Sequence, residues 1–196
     1  MRPLHLTGVL LVLSAMAPCA WADLIDFEGF SDSTPITTQY PGLTFTNTII
    51  LTSGISLNEF EFPPHSGVNV VSDNGGPITI DFATPITSFS AFFTYLEPLT
   101  LVGFNASATQ VATATSLFSS DDALFGDPGS SANELIELDY AGGISSITIT
   151  GDPAGGSFVM DDLTYVTQGT TLPEPTTLGL MFIGIVLLGF RKTIKS

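Results

Sequence analysis

The chain has 196 residues, 44% of them hydrophobic, with nineteen Asp and Glu against four Lys and Arg, for a formal net charge of −15. All four bases (Arg2, Arg191, Lys192, Lys195) lie at the two ends, so the stretch between holds eighteen acids, the nineteen less Glu174, and no Lys or Arg. Such a body cannot neutralise a phosphate, which excludes nucleic acid and anionic lipid surfaces as partners and is expected to leave no salt bridge anywhere within it.

In chain order, Arg2 supplies a positive start and Leu4 to Ala17 an apolar run. Ala20-Trp21-Ala22 then places small residues at Ala20 and Ala22, where a signal peptidase reads them, so residues 1–22 are expected to be a signal peptide cut after Ala22. Cys19 suits a lipid attachment poorly, with Pro18 directly before it and Met16 three before. Beyond the cut there is no cysteine. An exported domain of this size must then be held by apolar burial without disulfides.

Residues 23–166 have the size of one domain, and their period is two. Ile78, Ile80 and Phe82 alternate with Thr79 and Asp81; Leu99, Leu101 and Gly103 alternate with Thr100 and Val102. Leu135 and Ile136 form another short run, and Ile147 and Ile149 alternate with Thr148 and Thr150. Turn signals separate these runs: Pro41-Gly42, Asn74-Gly75-Gly76, Asp127-Pro128-Gly129 and Asp152-Pro153. No window outside the ends has helical periodicity. The pattern predicts an all-β fold, a single β-sandwich of short strands that is jelly-roll-like. Ser116 to Ala132, rich in Ser, Asp and Gly, reads as a long loop, and 167–172 as a polar linker.

The chain ends in a tripartite segment, 173–196. Pro173-Glu174-Pro175 makes a turn, Leu178 to Phe190 is wholly apolar or glycine, and Arg191-Lys192 closes it. A helix over about 176–190 falls somewhat short of the roughly 20 residues that a hydrocarbon core wants. The prolines stop it extending backward, and the bases fix its end on the cytoplasmic side. This arrangement resembles the PEP-CTERM sorting signal of exported Gram-negative bacterial proteins. The resemblance implies recognition by an exosortase, a transpeptidase-like membrane enzyme, and an association with exopolysaccharide and biofilm. It further implies export through the inner membrane, transient anchoring there, and a final place on the cell surface or in the extracellular matrix. An ordinary single-pass anchor is the alternative.

The body carries a second, looser likeness. Ile25-Asp26-Phe27-Glu28, Tyr40-Pro41-Gly42-Leu43-Thr44-Phe45 and Phe158-Val159-Met160-Asp161-Asp162-Leu163 look like parts of the exported lectin-like jelly rolls that often precede such tails. In those folds the first and last strands commonly pair.

Few residues could carry chemistry. Strict alternation in 158–166 sets Phe158, Met160, Asp162 and Thr164 against Val159, Asp161, Leu163 and Tyr165, so either buried face takes one aspartate inside. A buried carboxylate needs a partner. Without Lys or Arg, the choices are backbone N–H groups, a proton, or a hard cation such as Ca²⁺. Asp161, Asp162 and, if the end strands pair, Asp26 and Glu28 are the candidate Ca²⁺ ligands. His65 precedes Ser66 in Phe62-Pro63-Pro64-His65-Ser66-Gly67, but neighbours in an extended chain point apart, and no Gly-x-Ser-x-Gly elbow occurs. His65 therefore reads as a surface-loop residue. Thr-x-Thr pairs at Thr44/Thr46, Thr113/Thr115 and Thr148/Thr150 lack the fixed repeat of an ice-binding face.

Three functional classes remain open on the sequence. The leading one is a non-catalytic surface or matrix module that binds polysaccharide, with only Tyr40, Tyr95, Tyr140 and Tyr165 to stack on sugar once Trp21 has left. The others are a purely structural or adhesive envelope protein and an extracellular hydrolase.

Overall fold

The computed structural model describes residues 22–169. Ala20, the sorting residues Pro173, Glu174, Pro175, Arg191 and Lys192, and the expected 176–190 helix lie outside them. The described residues form nine strands and no helix: β1 (Ala22–Ile25), β2 (Leu43–Thr46), β3 (Thr48–Thr52), β4 (Asn69–Asp73), β5 (Ile78–Tyr95), β6 (Thr100–Phe104), β7 (Gln110–Thr115), β8 (Glu134–Thr150) and β9 (Phe158–Thr167). All strand pairs are antiparallel and belong to one sheet, ordered β3-β4-β9-β5-β8-β6-β7, with β1 on β9 and β2 on β5. The first and last strands pair, Ala22 standing opposite Val166.

The expectation of short strands fails at β5 and β8. Ile78, Ile80 and Phe82 only begin a strand that runs through Pro85 to Tyr95. A proline inside a sheet removes a ladder donor and is tolerated at an irregularity, and here the register shifts between Asp81 and Ile86. Opposite this point, β8 spends residues 140–143 between Asp139 and Ile144 while β5 spends only Thr87. Gly143 there adopts φ 96°, open to glycine at little cost. Both long strands therefore bend at the same level. Their halves toward 78–82 and 144–150 pair with β2 and β6, and their other halves pair with each other and with β9.

The bend brings the two halves of one sheet face to face. A Cβ on Gly103 in β6 would lie 3.1 Å from Leu138 Cδ2 in the opposite half, so glycine there admits the neighbouring layer. The core between them takes the alternating residues read from the sequence: Ile78, Ile80, Phe82, Leu99, Leu101, Ile147 and Ile149 are all buried, with Phe89, Phe93 and Phe158. The 116–133 segment is irregular, as its composition predicted. At the other boundary β9 continues through Thr167, and Gln168 N still donates to Pro85 O (2.7 Å), so the sheet reaches two residues into the expected linker.

Candidate binding face

The β3–β4 segment, residues 53–68, crosses the outer side of the sheet over β4, β9 and β5. Its Leu57 packs with Val70 and Val159, supported by Leu51 and Phe62, as a second small apolar cluster. Of the four carboxylates that are candidate cation ligands, three hold this segment by hydrogen bonds. Glu28 Oε1 accepts the amides of Val68 (2.9 Å) and Asn69 (2.8 Å). Asp161 Oδ2 accepts the Ser66 amide at 2.9 Å, and its Oδ1 accepts the Asp162 amide at 2.7 Å. Asp162 accepts the Ser66 hydroxyl at 2.9 Å and meets His65 Nδ1 at 2.6 Å. Asp26 stands apart, exposed, taking the Glu28 amide in a local turn at 3.2 Å. Among the described residues no three His, Asp or Glu side chains converge as a metal-holding group.

Strict alternation in β9 is broken by a bulge. Against β5, Asp162 and Leu163 occupy the space that Ala91 alone fills between the Thr164–Ser90 and Asp161–Phe92 pairs. Asp162 takes φ 46°, a conformation that Asp tolerates better than most side chains. As a result Met160 and Leu163 both enter the core, and Asp161 and Asp162 both serve the covering segment. Burial pushes the Asp161 carboxyl up to about 6, against the opposing pull of the Ser66 and Asp162 amides, with the nearby Asp162 charge adding to the rise.

His65 is an exposed residue of the 53–68 loop, as expected, but it also makes specific contacts. Its ring stacks on Phe92, centroids 3.4 Å apart and planes 7° from parallel, and when protonated it forms an ion pair with Asp162. Among the described residues there is thus one ion pair, with histidine as the base that counting Lys and Arg overlooked. Ser66 Oγ donates its hydrogen bond to Asp162 and not to His65, so the two do not form the hydroxyl-to-imidazole pair of a hydrolase nucleophile.

Sequence reasoning missed a second carboxylate clamp, on the 116–133 segment. Asp121 is fully buried, its Oδ1 accepting the Tyr95 amide at 2.7 Å and its Oδ2 the Glu134 amide at 3.3 Å. Desolvation pushes its carboxyl up to about 6 against those two bonds, and Glu134 nearby adds to the rise. Buried Asp122 caps the amides of Leu124 and Phe125. Asp73, also buried, takes those of Ser157 and Phe158. The signal was partly available in a domain without Lys or Arg, since backbone amides are among the few partners left to a buried acid.

The two clamped segments touch. Ala123 N donates to Glu61 O at 3.0 Å, and Asn133 Nδ2 to Pro63 O at 3.2 Å. Together they present apolar side chains to solvent: Phe60 is 73% exposed, Phe125 79% and Leu117 77%, with Leu124 exposed as well. The tyrosines are less available. Tyr95 is buried with its hydroxyl on Glu134. Tyr40 packs edge-on to Phe27 and Phe30 and has its phenol pushed up to about 12 by burial and by Asp26. Tyr165 leans on Phe82, which leaves Tyr140 as the exposed one. A separate cleft of about 410 Å³ is lined by Thr38, Tyr40, Thr44 and Asp81, among others.

No family model matches this chain, and no curated protein does. Among solved structures it is similar to a cleaved adhesin domain of Lys-gingipain, at 15% identity over 74% of this chain and 98% of that one, with a TM-score of 0.45. A DUF4465 family protein from Bacteroides caccae matches at 9% identity over 74% and 99%, with a TM-score of 0.46. A family 29 carbohydrate binding module matches at 11% identity over 79% and 98%, with a TM-score of 0.39.

Proposed function

We propose that this chain is an exported, non-catalytic module of the cell surface or matrix that binds neutral polysaccharide on the face made by its two clamped segments. One observation carries the reading: Phe60 and Phe125 stand largely in solvent on segments that carboxylates tie to the sheet. An exposed ring on a preorganised loop is a stacking platform for the apolar side of a sugar, at little ordering cost. The charge of the body repels acidic polymers, so the glycan is neutral. Full-length protein should be retained by cellulose or xylan and not by alginate. Phe60→Ala and Phe125→Ala should each weaken retention about tenfold, equivalent to 1.4 kcal/mol, without changing Tm. Equal retention of wild type and both variants would overturn the reading.

The purely structural or adhesive alternative has one observation in its favour, the withdrawal of Tyr40, Tyr95 and Tyr165 into packing. Under either reading, signal peptidase and an exosortase-type enzyme bring the chain to the surface. Replacing Glu174 by Ala, or deleting Arg191 and Lys192, then leaves the tail uncut in the inner membrane. Intact tail on mature wild-type protein, seen by mass spectrometry, would instead establish a plain anchor.

A further inference from the structure

The edges of the sheet are not treated alike. Along β3, the segment before β2 supplies a cover: Ser33 N donates to Ile50 O (2.8 Å), Ile50 N donates to Thr34 O (2.9 Å), and Pro35 bridges to Ile49. On β2, Phe45 N donates to Thr37 O at 2.7 Å. β1 carries Asp23 and is followed directly by Asp26, charges that discourage a further strand. At the other end of the sheet, β7 has none of these devices. Among the described residues it pairs only with β6. Its bulge falls early, at Val111, and leaves Ala112 to Thr115 in regular register with Thr100 to Gly103. No residue from Pro98 to Ser120 carries a charge, and β7 contains no proline.

An uncovered, uncharged edge of Thr, Ala and Val is a template for another strand. We infer that β7 is a self-association edge, pairing antiparallel with β7 of a second copy of this chain. The charge distribution selects that occupant. Two bodies with eighteen acids each repel wherever carboxylates face one another, and the other long uncharged stretch, residues 33–58, already bonds to itself along β2 and β3. A basic partner would be drawn to the acidic surfaces instead. Antiparallel pairing of one strand with its own copy is isologous, so it closes as a two-fold dimer. Leu117, exposed two residues past the strand, adds apolar area beside the joint.

The test is sedimentation of the full chain in detergent over a range of concentrations. Wild type is expected to double in mass as concentration rises. Thr113→Lys, which sets two like charges on the joint, is expected to remain monomeric with an unchanged Tm. Thr46→Lys, on the exposed side of β2, is expected to dimerise like wild type. Should Thr113→Lys fail to fold, Thr115→Lys decides in the same way. A wild type that stays monomeric throughout overturns the assignment, and so does a dimer that survives the β7 lysine, which would place the contact elsewhere. Glycan retention is measured separately through Phe60 and Phe125, so the two readings fail independently.

Discussion

Glu28 accepts two successive amides, and Gly67 lies directly against its carboxylate. A Cβ at Gly67 would come within 2.2 Å of Glu28 Cδ, and the residue holds φ 52°, where L side chains are strained. Gly67→Ala should therefore displace the carboxylate and release the Val68 and Asn69 amides. The expected cost is roughly 2 kcal/mol, a fall in Tm of about 4–8 °C for a domain of this size. Gly54→Ala is the comparison, since its φ of 74° is also positive but nothing lies within 4 Å. Calorimetry should find the smaller loss there; equal losses would mean that backbone strain alone acts at Gly67. Glu28 was legible as an acid that pairing of the end strands would bring toward Asp161 and Asp162, but its contact with Gly67 was not. Glu28 and Gly67 lie far apart in the chain, and only the pairing of β1 with β9, which carries Asp161 and Asp162, brings the three acids to one segment.

At the scale of elements, two irregular segments are tied to the sheet by buried aspartates, Asp161 for 53–68 and Asp121 for 116–133. Both carboxyls rise from 3.8 to about 6 on folding, chiefly through burial. The sign follows from linkage. Between about pH 4 and 6 the folded chain keeps protons that the unfolded chain has released, so stability grows as pH falls from 7 through 6 toward 4 and is lost on the return. Urea midpoints should be higher at pH 5 than at pH 7.5, and Asp161→Asn with Asp121→Asn should flatten the difference. A midpoint that falls steadily below pH 7 would contradict this. The loop character of 116–132 was legible from its Ser, Asp and Gly content, but the burial of Asp121 was not, because composition cannot tell which loop carboxylate turns inward. Likewise the β9 alternation was legible, whereas the bulge at Asp162 that re-aims both aspartates depends on its pairing with β5.

For the whole molecule, charge dominates. Eighteen acids repel one another in the body, and His65 is the single base among the described residues. NaCl should raise Tm by screening that repulsion, within a Debye length of about 10 Å at 0.1 M. DNA and phosphatidylglycerol vesicles should fail to bind at any salt concentration; retention on either without divalent ions would refute the charge argument. By itself the sequence determined the all-β class, the inward residues of β5, β6 and β8 and the irregular 116–132 segment, because these follow from local period and turn residues. The tertiary structure alone decided that two strands bend to make one sheet face itself, that acids clamp loops through amides, and that β7 is left uncovered among the described residues. Each of those depends on which distant segments become neighbours, and long-range pairing leaves no local trace in the order of residues.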